Sequence, residues 1–147
     1  MRIKLSLGIL LILCTLLLAG IFSHSLAYGA NKHIKDYNVL LAQFKASGAT
    51  VRPQHATHAF QPFSVPAHQI MINKGVVDVL VYRDSKSAAA EAATISPKGF
   101  IIGNAIMEGN LQPHFYRSER FILFYNGNDP TILHILMQVV GKQIAGV

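Results

Sequence analysis

Two stretches of the chain carry the residues whose types and spacing could do chemistry. In "VRPQHATHAFQPFSVPAHQ" (residues 51–69), His55 and His58 form an H-x-x-H pair and His68 stands ten residues beyond. Neutral imidazole is a common ligand for zinc and related metals, so His55, His58 and His68 are the candidate set for a metal or small ligand. The H-x-x-H spacing suits two ligands on one face of a helix. Pro53, Pro62 and Pro66 argue against a helix here, and no carboxylate stands nearby in sequence to complete the set. In "PHFYRSER" (residues 113–120), His114, Tyr116, Arg117 and Arg120 bring polar tips to one end of an aromatic run. Guanidinium groups bind carboxylates and phosphates through paired hydrogen bonds, so these four form a candidate surface for an anionic ligand or partner.

The aromatic run has a simpler account as sheet core. On "FILFY", Phe121, Leu123 and Tyr125 alternate with Ile122 and Phe124. An apolar load on both faces is what a central strand between two packing layers requires. Elsewhere the chemistry is sparse. His134 falls inside a helical pattern, and Glu91 and Glu108 are isolated charges. There is no G-x-S-x-G, no phosphate-binding glycine loop and no paired carboxylates, so no catalytic residue is assigned and no cofactor is expected. The single cysteine, Cys14, lies in the N-terminal apolar run, which excludes disulfides and thiol chemistry from the rest of the chain.

The elements that must position these residues follow from hydrophobic period and turn chemistry. In "NKHIKDYNVLLAQFKASGA" the residues Ile34, Tyr37, Leu40, Leu41 and Phe44 repeat at helical spacing and Gly48 stands at the C-terminal cap. Residues 52–68 read as an extended or looped connection with room for a short edge strand. "QIMINKGVVDVLVYR" predicts a hairpin about Asn73, Lys74 and Gly75, with the glycine supplying a positive φ. A second helix begins at a capping Asp84 or Ser85 and continues as "SAAAEAA". "PKGFIIGNAIM" then turns at Lys98 and Gly99 and returns to the sheet as a strand. The hairpin 114–125 follows, and Asp129 and Pro130 open a closing helix that Gly141 stops. The expectation is an α+β fold: an antiparallel sheet of about five strands packed against two or three helices, preceded by an N-terminal apolar helix.

That N-terminus sets the expected compartment. "MRIK" precedes eighteen uncharged residues, "LSLGILLILCTLLLAGIF", the order of an export signal, and "SHSLAYGAN" then offers small residues for signal peptidase. The rival reading is a retained anchor crossing the membrane through residues 5–22. Residues 1–29 are therefore a signal peptide or signal anchor, and residues 30–147 a single extracytoplasmic domain. In both readings Arg2 and Lys4 stay cytoplasmic. Leu13 stands where a lipid-attachment signal needs a small residue before Cys14. The formal charge is +6, and +4 without Arg2 and Lys4. The basic residues are scattered singly, which does not make a nucleic-acid stripe.

"PHFYR", "FILFYNGNDP" and the terminal "GKQIAG" together carry a resemblance. Residues 34–147 resemble an uncharacterised group of small bacterial envelope proteins, secreted or lipid-anchored, with a P-H-F-Y-R hairpin, a Y-x-G turn and a closing G-x-Q-x-A-G. The resemblance implies an envelope location and no particular activity. The expected function is an extracytoplasmic binding or accessory module of the envelope, contacting its partner through residues 52–68 and the 117–120 turn. The partner would be an envelope protein or an anionic surface component, not nucleic acid. The alternative is a small-ligand or metal-binding envelope protein using His55, His58 and His68.

Overall fold

Two hairpins with two-residue turns form the centre of the sheet in the computed structural model, which describes Ile34 and residues 36–147. Strand β2 (Ala67–Ile72) turns through Asn73 and Lys74 into β3 (Gly75–Val81), and β6 (Pro113–Ser118) turns through Glu119 and Arg120 into β7 (Phe121–Asn126). β3 pairs with β7, so the two hairpins join side by side. β1 (Val51–His58) adds to the outside of β2, and β8 (Gln143–Gly146) to the outside of β6. The result is an antiparallel six-stranded sheet in the order β1-β2-β3-β7-β6-β8.

Three helices complete the fold: α1 (Tyr37–Ala46), α2 (Ser85–Ala92) and α3 (Pro130–Val140). Each is capped by an aspartate that satisfies a free backbone N–H of the first turn. Asp36 accepts from Asn38 N at 2.7 Å, Asp84 from Ser87 N at 2.7 Å and Asp129 from Thr131 N at 2.8 Å. Gly48 and Gly141, at φ 87 and 105, end α1 and α3 in the left-handed region that glycine enters without strain.

Strand alternation splits the apolar residues into two layers. On the first face Val77, Val79, Leu123 and Tyr125 pack with Leu40 and Phe44 of α1 and with Ile132 and Leu136 of α3. On the second face Leu80, Phe115, Ile122 and Phe124 pack with Ala88 of α2, Phe63 of the 59–66 loop, and Ile95 and Ile102. Residues 31–147 form one compact unit.

The strands depart from the sequence pattern in three places. The proline-containing stretch from Val51 is a full edge strand with a register shift between Pro53 and Thr57; Pro53 is tolerated because an edge leaves one side of the backbone unpaired. Residues 101–106 do not rejoin the main sheet. Ile101–Ile102 and Ala105–Ile106 form a separate two-stranded hairpin, β4 and β5. The terminal "QIAG" is β8, where Gly146 adopts φ 130 and a Cβ would meet the Pro113 carbonyl oxygen and lie 2.9 Å from His114 Cα.

The role of Gly75 also differs. The positive φ of the β2–β3 turn belongs to Asn73, at 54°. Asn73 is tied to the preceding turn, donating to Thr50 O at 2.8 Å while its Oδ1 accepts from Thr50 N at 3.0 Å. Gly75 is small for another reason: a Cβ there would run into Ile132 Cδ1 and come within 3.1 Å of the Tyr125 ring. The expected apolar helix and signal segment of residues 1–29, with Cys14, lie outside the described residues. Among the described residues no helix is long and apolar enough to cross a membrane.

Candidate functional site

Alternation along β6 separates the four residues of the aromatic hairpin. His114 and Tyr116 point to the first face, and Arg117 is exposed on the same side as Phe115. His114 is only 3% exposed. Its Nδ1 lies 2.8 Å from Gln143 Oε1 and its Nε2 3.4 Å from Asn128 Oδ1, and its ring stacks on Tyr125 at 6.2 Å. The Tyr116 hydroxyl donates to the same Gln143 Oε1 at 3.4 Å. This polar group ties β8 and the turn before α3 to β6, which is a packing role.

Arg120 occupies the hairpin turn. Its carbonyl accepts from Tyr82 N at 2.8 Å and its guanidinium carbon sits 5.9 Å from the Phe121 ring centroid. Nothing in this placement gathers His114, Tyr116, Arg117 and Arg120 around one ligand.

The three histidines of the first stretch are also dispersed. His55 is exposed in the irregular part of β1. His68 pairs across the sheet with Val79 on the first face, and its ring lies 5.5 Å from that of Tyr37. His58 reaches over the second face, where its Nε2 is 3.7 Å from Asp78 Oδ1. His58 and His68 thus serve opposite faces. Among the described residues no three His, Cys, Asp or Glu side chains converge as a metal site would require.

The register points instead to Asp78. On the second face Gln69, Asp78, Phe124 and Phe115 form one row across four strands. The 59–66 loop covers part of this face, with Phe60 packed on Phe124 at 5.0 Å and on Phe63 at 5.2 Å. Beyond Phe60, toward the Asn73–Lys74 turn, the cover ends. Val76 is 44% exposed there.

A cleft of about 480 Å³ opens at this end, bounded by Lys74 of the turn, by Gly75, Val76 and Asp78 of β3, and by Phe124, Tyr125 and Asn126 of β7. That size falls within the range of roughly 300–1,000 Å³ common for small-ligand sites. The cleft's lining mixes the apolar Val76 and Phe124 with the polar Lys74, Asp78 and Asn126.

Asp78 is poorly solvated in that lining. Its side chain is 14% exposed, Oδ1 is buried with no hydrogen-bond partner, and Gln69 hydrogen-bonds the carboxylate. Burial pushes its pKa above the ordinary 3.8, against the opposing pull of the Gln69 hydrogen bond and of His58. At the other end Lys74 is exposed and, among the described residues, makes no ion pair. A desolvated anion and an unpaired cation can hold a ligand that brings the complementary charges. Sequence reasoning missed Asp78, although the charge inside the apolar run "VVDVLV" was its signal.

No protein-family model, no curated protein and no solved structure matches the chain, so the site rests on its own geometry.

Proposed function

We propose that the protein is a small extracytoplasmic binding module of the bacterial envelope, and that it engages its partner at the open end of the sheet's second face. The carrying observation is the cleft beside Asp78, where the covering layer stops and leaves Val76 exposed next to a buried, incompletely paired carboxylate. The compartment is supported by the basic head and uncharged run of the N-terminus, and by the resemblance of "PHFYR" and "GKQIAG" to small envelope proteins. This placement moves the contact surface from residues 52–68 and the 117–120 turn to the opposite end of the two central hairpins.

The test uses Val76, which can be changed without touching the core. In a Cys14→Ser background, Val76→Cys supplies the sole thiol. Labelling by a membrane-impermeant maleimide in intact spheroplasts is expected, and labelling only after lysis overturns the compartment. A photo-crosslinking residue at the same position should form a discrete adduct with an envelope component, and Asp78→Asn should weaken it. Equal yields from position 76 and from exposed Met137 of α3 would overturn the choice of face.

A further inference from the structure

We infer that the cleft binds a short peptide of about three residues with both ends free, its N-terminal ammonium against Asp78 and its C-terminal carboxylate against Lys74. This inference rests on the cleft being the binding face.

The geometry of β3 supplies the length. Lys74 closes the β2–β3 turn and Asp78 is the fourth residue of β3, so four residue steps separate them and their Cα atoms lie at most about 14 Å apart. Among the described residues no ion pair joins the two. A chain of three residues spans roughly 10 Å when extended, and the flexible lysine side chain can take up the difference. Both charges border the same cleft, together with Val76, Phe124 and Asn126.

The chemistry supplies the polarity. Asp78 is shielded by Phe124 and the sheet, with Oδ1 buried and Gln69 occupying part of the carboxylate's hydrogen-bonding capacity. An ammonium group against the part of Asp78 that borders the cleft neutralises the charge, whereas a second anion would be repelled. His58 Nε2 lies 3.7 Å from Oδ1, within ion-pair range when protonated but beyond hydrogen-bond distance, so it offsets the charge without satisfying the oxygen. Asn126 uses its Oδ1 to accept from Gln112 N at 2.7 Å, which turns the amide's NH₂ end to other partners, such as a peptide carbonyl or carboxylate. Zwitterions of other kinds fit less well. In an ethanolamine phosphate headgroup two carbons separate amine from phosphate, too few to bridge Asp78 and Lys74.

The experiment is an amide-shift NMR titration of the full-length protein in a mild detergent. The probes are trialanine, N-acetyl-trialanine, trialanine amide and ethanolamine phosphate. Trialanine should move the amides of Val76, Asp78 and Asn126, and N-acetylation should weaken it by at least about tenfold, since it removes a charge-assisted hydrogen bond. Amidation should weaken it as well. Asp78→Asn should erase the preference for the free amine, and Lys74→Gln, at an exposed turn, should erase the preference for the free carboxylate.

Equal binding of trialanine and its acetylated form, tighter binding of ethanolamine phosphate, or no response of the cleft to trialanine overturns the inference. A protein that still cross-links from position 76 but ignores trialanine loses the peptide and keeps the cleft. Loss of both discards the cleft itself.

Discussion

Asp78 stands in the middle of "VVDVLV" on a central strand, flanked on the same face by Val76 and Leu80. Burial there penalises the charged form, so its folded pKa lies above the ordinary 3.8. The sign of the linkage follows. Below pH 3.8 the carboxyl is protonated in both states and adds nothing. As pH rises, the unfolded chain releases the proton first, so the native state binds more protons and stability falls until the folded group has also ionised. Asp78→Asn should therefore melt at a higher temperature than the wild type at neutral pH, and the gap should close in acid. The other titratable groups facing this region are His58, reaching over from β1, and Lys74 at the rim, and the same comparison in a His58→Gln background isolates the carboxylate. A constant gap at every pH would contradict the assignment of a desolvated acid at this position.

Packing of α3 on the sheet depends on a missing side chain at Gly75. Gly75→Ala puts a methyl group where Ile132 Cδ1 now sits, so that side chain, only 1% exposed, must shift. Overpacking of this kind costs about 1–3 kcal/mol. Ile132→Val removes the clashing carbon and alone costs about 0.5–1.5 kcal/mol. Urea denaturation of the single and double variants should show strong non-additivity, with the double variant less destabilised than the sum of the two. Strict additivity would mean that α3 does not bear on the β2–β3 turn in this way.

The same element shows what local sequence pattern conveys. The helices were legible because such signals coincide, as period, capping aspartate and terminal glycine do in "NDPTILHILMQVVG"; α2 has the aspartate and the alanine run without the glycine. The two central hairpins were legible from alternation, including the opposite faces of Phe121 and Ile122. Gly75 was seen, but for the wrong reason, because its constraint comes from a helix 57 positions later in the chain. The edge strands were harder to see. β1 contains a proline and a register shift, and β8 is four residues whose partner, β6, precedes a whole helix. For the candidate site, histidines attract attention by type, yet the sheet register scatters them. Asp78 becomes notable only once its neighbours across β2 and β7 are known.

At the scale of the molecule, the first core begins before the first helix. Ile34 is 1% exposed and packs in the same layer as Leu40, Phe44 and Ile132. Asp36 caps α1, and Tyr37 rests against His68 of β2 at 5.5 Å. The compact unit therefore includes residues that precede the first helix. A chain of residues 31–147 should retain both cores and unfold in one cooperative transition, since each core is made from residues after 31. A chain beginning at Asn38 lacks Ile34, the Asp36 cap and Tyr37. Loss of a buried isoleucine alone costs about 2–5 kcal/mol, and in a domain of this size such a loss lowers the melting temperature by on the order of ten degrees. Calorimetry of the two chains should show that drop together with a smaller unfolding enthalpy. Identical melting would mean that Ile34 is not part of the working core and that the folded unit starts at α1.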